Sequence, residues 1–232
     1  MFWQWNSQKG RERQSNSDAV AVINGRTFFF AMLVDAAEKS NKSNQFARYL
    51  TERVASSVLE LKTTPSSADL LNIMRNTQKQ LRYHFLQETA SYIVLVYDKN
   101  AEKGLVLSCG DCRLALLSSD IKWLTKTDTL LTAFDESQGH VKKELMTRHT
   151  LTSSLNAKRF ASPKVITIGA LNGKQWILCS DGYWAEHIDE KISWEKLKDD
   201  ASCLTIATEG LLSEQSISDC ENCFSYNLNN YR

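Results

Sequence analysis

At 232 residues, 42% of them hydrophobic, the chain is long enough to bury a sizeable core. Its formal net charge of +1 gives no electrostatic footing for nucleic acid or an anionic membrane surface. No apolar run approaches the roughly 18 residues of a membrane-spanning helix, and the opening MFWQWNSQKGRERQ lacks the apolar segment and small-residue cleavage site of a secretory signal. These features predict a soluble cytoplasmic protein, a single domain over residues 1–232 with residues 1–6 as a flexible lead.

In chain order, AVAVING predicts a strand ending in a two-residue Asn24-Gly25 hairpin, and TFFFAMLV predicts its partner. Phe46, Leu50, Val54, Val58 and Leu61 fall at spacings of three and four, which predicts a helix over 44–61. A second helix is expected over 66–87, capped by Ser66 or Ser67, with Leu70, Leu71, Met74, Leu81 and Phe85 as its apolar stripe. Strands follow in ASYIVLVYD, KGLVLSCG, CRLALLSS, IKWLT, KVITIGA and QWILCS. ISWEKLKDDASCLTIATEGLL reads as one or two helices, and NCFSYNL as a closing strand. Strands and helices are segregated rather than alternating, which predicts an α+β fold with largely antiparallel sheets.

The cysteines form two C-x-x-C pairs, CGDC (Cys109, Cys112) and CENC (Cys220, Cys223), separated by nearly half the chain. That spacing is far too wide for a zinc ribbon, and reduced thiols in a cytosolic protein are the simpler expectation. The four histidines are scattered and show no paired metal-ligand spacing.

The acids are placed more tellingly. FFFAMLVDAA delivers Asp35, LVLSCGDCR delivers Asp111 and WILCSDG delivers Asp181, each at the tip of an apolar strand. Asp18 opens the first strand, and SISDCENC offers Asp219 and Glu221 before the last. Any one could be a turn residue whose side chain bonds the local backbone. Converging strand ends would bring like charges together, and a cation would relieve their repulsion. All-oxygen ligation selects Mg²⁺, Mn²⁺ or Ca²⁺.

In this order the motifs resemble those of the metal-dependent PPM (PP2C) protein phosphatases. GRERQSNSD resembles the opening G-x-x-R-x-x-N-x-D, through Gly10, Arg13, Asn16 and Asp18. CGDCR resembles G-D-x-R, through Gly110, Asp111 and Arg113. AMLVDAA resembles the strand ending in the first metal aspartate, WILCSDG the S-D-G strand, and ENC the closing D-N with Glu in place of Asp. The resemblance implies an αββα four-layer sandwich of two antiparallel sheets flanked by helices. It implies hydrolysis of protein phosphoserine and phosphothreonine through a metal-bridged hydroxide, with two or three Mn²⁺ or Mg²⁺ ions. By the same resemblance, Asp35 would bridge two ions and the Ala36 carbonyl would hold one. Asp181 with Glu221, or with Asp219, would complete the other. Asp111 would serve a third, Asp18 would hold bound water, and Arg13 would grip the phosphate. The partner would be a phosphorylated protein, opposite a Ser/Thr kinase, and the enzyme a monomer.

Three positions depart from the pattern. DAAEKS replaces a glycine-rich turn, Ser17 stands where Glu is usual, and Glu221 is one methylene longer than Asp. A relative that has lost catalysis and acts as a phosphoprotein-binding or regulatory module is the alternative. The polar segment 125–159, which includes His149 and a short expected helix over 141–146, would be the flap beside the site and a candidate for substrate selection.

Overall fold

The computed structural model describes residues 1–61, 63–138, 150–171, 173–209 and 214–228, without the side chains of 135–138. The elements run β1 (Phe2–Gln8), β2 (Asp18–Asn24), β3 (Phe28–Ala36), α1 (Ser43–Leu61), α2 (Ser67–Leu81), β4 (Thr89–Asp98), β5 (Lys103–Cys109), β6 (Arg113–Leu117) and β7 (Ile121–Trp123). There follow α3 (Leu130–Gln138), β8 (Leu155–Asn156), β9 (Lys164–Ile168), β10 (Gln175–Cys179), a π-helical segment (Gly182–Asp189), a 3-10 turn (Trp194–Lys196), β11 (Ala201–Ala207), β12 (Gln215–Ser218) and β13 (Cys223–Asn227).

The strands form two sheets, one ordered β12-β1-β11-β10-β6-β7, the other β13-β2-β3-β4-β5-β9 with β8 on β4. Pairing is antiparallel except at one edge of each sheet, where β12 lies parallel to β1 and β13 parallel to β2. Trp3, Trp5, Trp176, Leu178, Leu204 and Ile206 of the first sheet meet Val20, Val22, Phe29, Leu33, Ile93 and Leu95 of the second across the centre. On the far face of the second sheet, Ala19, Ala21, Phe30, Met32 and Val94 pack against Phe46, Leu50, Val54, Val58, Leu70 and Met74 of α1 and α2. Burial on both faces explains why β2, β3 and β4 are near-continuous apolar runs. Each fully buried Leu, Val or Phe side chain contributes about 1.5–3 kcal/mol. The outermost layer on the first sheet is short: Trp184 and Ala185 of the π-helical segment cover Ala115, Ile177, Cys179 and Cys203. The architecture is the expected α+β sandwich, with mixed rather than purely antiparallel sheets.

Several expectations are corrected. Residues 2–8 are a strand rather than a flexible lead, and Trp3 and Trp5 alternate with Gln4 and Asn6 so that the indoles face the core. The first hairpin closes at Gly25 and Phe28, with Gly25 N–H donating to the Phe28 carbonyl, so Arg26 and Thr27 form the turn. α2 ends at Leu81, and Ser66 caps it in a reciprocal box with Asp69. The largest correction lies in ISWEKLKDDASCLTIATEGLL, whose centre is β11, hydrogen-bonded on both sides to β1 and β10. The helix expected over 141–146 and His149 lie outside the described residues. Among the described residues, no helix is long and apolar enough to cross a membrane.

Candidate metal centre

The site forms where strand ends of both sheets meet. A cavity of about 280 Å³ is lined by Arg13, Asp35, Ala36, Ala37, Glu38, Ser91, Asp111, Leu151, Asp181, Asp199 and Asp200. The second sheet contributes Asp35 from the end of β3 and Asp111 from the β5–β6 turn. The first sheet contributes Asp181 just after β10 and the pair Asp199-Asp200 just before β11. Leu151 comes from the 125–159 segment, so part of the expected flap borders the cavity.

Asp18 lies on the same ladder rung as Asp35, directly across the β2–β3 pair. It is buried; Ser180 Oγ donates to its Oδ2 at 2.8 Å, and among the described residues its Oδ1 has no hydrogen-bond partner. Like charges facing across a rung destabilise a sheet, and both carboxyls are pushed well above the usual range. For Asp18 the main cause is burial, then repulsion from Asp200. For Asp35 it is burial, then repulsion from Asp18, Asp181 and Asp111. Burial and Asp181 push Asp111 up to about 7, although Ser91 Oγ donates to its Oδ1 at 2.6 Å.

Asp199-Asp200 is the part that sequence reasoning missed. Asp200 Oδ1 accepts the Gly10 N–H at 2.9 Å and Oδ2 accepts the Ser17 N–H at 2.7 Å, so this carboxylate pins both ends of the loop that carries Arg13. Burial pushes Asp200 up to about 7 despite these bonds. Asp199 takes Arg13 on both oxygens, from Nε to Oδ1 at 2.6 Å and from Nη2 to Oδ2 at 2.5 Å. Burial and Asp181 raise its pKa, and Arg13 opposes the rise. Arg13 itself is raised, chiefly by its hydrogen bonds to Asp199. The two motif glycines nearest this corner are required by close approach: a Cβ on Gly10 would sit 2.2 Å from the Lys198 carbonyl oxygen, and one on Gly182 would sit 2.2 Å from that of Asp200.

Asp219 and Glu221 do not line the cavity. Asp219 accepts from Lys9 N–H at 2.5 Å and from Asn16 Nδ2 at 3.1 Å. Glu221 is exposed, 3.7 Å from Arg48, beside a separate surface depression. Within ENC the buried residue is Asn222, whose side chain accepts from Trp5 Nε1 and donates to Ser7 Oγ and to the Asp18 carbonyl.

The glycine-free DAAEKS turn is accommodated without strain. Glu102 and Lys191 are the non-glycine residues with positive φ among those described, so Ala36 and Ala37 adopt backbone that any L-residue reaches. Side chains hold the turn instead. Glu88, buried beneath it, accepts from Ser40 Oγ at 2.5 Å and from Ser43 Oγ at 3.0 Å. Glu38 accepts the Gln14 N–H at 2.9 Å and stands 3.6 Å from Arg13.

The donor set suits a hard divalent cation. It is all oxygen, its charges repel, and Asp18 Oδ1 is buried with no partner among the described residues. Among the described residues no three carboxyl, thiol or imidazole side chains stand close enough together to share one ion; Asp199 is the carboxylate whose two oxygens Arg13 already engages. The CGDC and CENC cysteines are all unpaired thiols, with Cys109 and Cys112 buried and Cys220 exposed.

No family model and no curated protein matches the chain. Solved structures do. The chain is similar to the serine/threonine phosphatase Stp1 from Staphylococcus aureus, with TM-score 0.76 and 16% identity over 90% of this chain and 96% of that one. It is similar to the serine/threonine phosphatase PstP/Ppp from Mycobacterium tuberculosis, with TM-score 0.70 and 17% identity over 90% and 98%. A PstP catalytic domain in complex with two manganese ions matches with TM-score 0.66 and 17% identity over 88% and 96%. At such identities the likeness is one of fold: the protein has the PP2C-like sandwich of the PPM phosphatases.

Proposed function

We propose that the protein is a metal-dependent serine/threonine protein phosphatase acting in the cytoplasm, on phosphoproteins made by a Ser/Thr kinase. The observation that carries the proposal is the convergence of Asp35, Asp111, Asp181 and Asp199 with Arg13 around one cavity in a PP2C-like fold. Two divalent cations, Mn²⁺ or Mg²⁺, would supply charge neutralisation and an acidified water. Asp35 with the Ala36 backbone, Asp181 and Asp199 would hold them, and Asp111 with Asp181 would hold a third. This assignment replaces Glu221 and Asp219 with Asp199.

The chain's own residues divide the remaining work. Asp18 offers its free Oδ1, behind Asp35, to an ordered water. Asp200 fixes the loop that presents Arg13, and the guanidinium fork suits the oxygens of a phosphoryl group. Among the described lining residues, Ser91 alone carries a hydroxyl or thiol, and its proton is committed to Asp111. With the carboxylates assigned to the cations, that supports direct attack by water rather than a covalent enzyme intermediate.

Hydrolysis of p-nitrophenyl phosphate and of a phosphothreonine peptide tests the proposal. Turnover should require Mn²⁺ or Mg²⁺ and be lost in Asp181→Asn. A second reading, a binding module without catalysis, is favoured by the engagement of both Asp199 oxygens with Arg13. Metal binding without turnover would identify it.

A further inference from the structure

We propose that Arg13 is the internal counter-ion of the metal-free site: it holds Asp199 until a divalent cation takes that carboxylate, and only then is its fork free for a phosphoryl group. The inference rests on Asp199 being a metal ligand. It turns on the fact that one edge of the Arg13 guanidinium cannot serve two anions. Nε and Nη2 both point into Asp199, and the Asp200 N–H adds a third donor on Oδ1 at 2.8 Å. The Asp199 oxygens thus have three donors, two of them from a cation. These donors take three of the carboxylate's roughly four lone-pair sites, so a metal ion that enters on the side the fork now occupies competes with the guanidinium for the same oxygens.

Arg13 would not leave the cavity on release. Its Nη1 is 3.6 Å from Glu38 Oε2, on the turn that follows Asp35, and Lys9 Nζ donates to its carbonyl at 2.9 Å. Glu38 is itself fixed by the Gln14 N–H. The side chain therefore bridges the acid-bearing loops of the two sheets, and release from Asp199 leaves it tethered on the Glu38 side. A fork freed in this way faces the cavity that Asp35, Asp111 and Asp181 line. Metal loading and anion binding are then coupled through one side chain, and each favours the other.

The test follows the Arg13 Nε–Hε resonance in ¹⁵N-arginine-labelled protein titrated with Mg²⁺, alongside calorimetry. In metal-free protein a hydrogen-bonded, slowly exchanging Nε–Hε signal is expected, absent from Arg13→Lys and unprotected in Asp199→Asn. Mg²⁺ should abolish the protection with the midpoint that calorimetry gives. Arg13→Lys keeps the charge but cannot form the fork, and should bind Mg²⁺ more tightly by roughly fivefold to tenfold. Protection that persists in Mg²⁺-saturated protein, or equal affinity in wild type and Arg13→Lys, overturns the proposal while leaving the metal site intact. Absence of any Mg²⁺ or Mn²⁺ binding to the wild type overturns the metal-site reading and this inference with it.

Discussion

The turns before β11 and before β13 each place two acids ahead of a strand. Asp199 and Asp200 border the cavity, whereas Asp219 and Glu221 do not. The difference is sheet position. β11 is a central strand beside β10, so its leading end stands next to Asp181 and across from Asp35. β12 and β13 are edge strands of different sheets, and the turn between them faces outward on the flank. An acid earns a chemical role here from where its strand lies, and the inner turn tests that claim against the outer one.

The largest effect should separate the two turns by activity. Asp199→Ala should reduce metal-dependent turnover by a factor on the order of 100 or more, while Glu221→Ala should stay within about twofold. Equal losses would erase the distinction. The outer turn should matter instead to stability: Asn222→Ala leaves Trp5 Nε1, Ser7 Oγ and the Asp18 carbonyl short of a partner. That should cost about 2–3 kcal/mol in chemical denaturation. A loss under about 1 kcal/mol would contradict the structural role.

Gly182→Ala probes the inner turn by crowding, since the added Cβ meets the Asp200 carbonyl oxygen. About 1–3 kcal/mol of stability should be lost, along with Mn²⁺ affinity; unchanged denaturation would refute that close approach. The smallest effect is one of pH. Asp111 and Asp200 are raised to about 7 from 3.8 by burial, so the folded protein binds more protons than the unfolded chain between those values. Their contribution is present at low pH and is lost as pH rises through about 7. The Tm of metal-free protein should therefore fall between pH 5 and pH 8, and Asp111→Asn should flatten the fall. A Tm that rises over this range would contradict the clustering.

The same comparison explains what could be read from the residues. Asp35, Asp111 and Asp181 were legible because each follows an apolar run that can only be a buried strand. Asp199 was not. Trp194, Leu197, Ala201 and Leu204 fall at spacings of three, four and three, which imitates a helix. β11 is buried on both faces and so shows no alternation to oppose that pattern. A helical reading of this segment hides the strand end that Asp199 and Asp200 mark, and leaves Asp219 and Glu221 as the closing acids the sequence offers. The signal available was local: Thr205 and Ile206 favour a strand, and an acid pair stands just ahead of it. The strand at residues 2–8 carries its two-residue alternation openly, with Trp3 and Trp5 facing the core between Gln4 and Asn6. The side-chain support of the DAAEKS turn, through Glu88 and Glu38, depends on contacts distant in sequence and has no local signature.

Calorimetric titration of Mn²⁺ into wild type, Asp199→Asn and Glu221→Gln tests the central claim most directly. The account predicts that wild type and Glu221→Gln bind with the same affinity and stoichiometry, and that Asp199→Asn loses at least one ion. Loss of binding in Glu221→Gln with Asp199→Asn unchanged would contradict it.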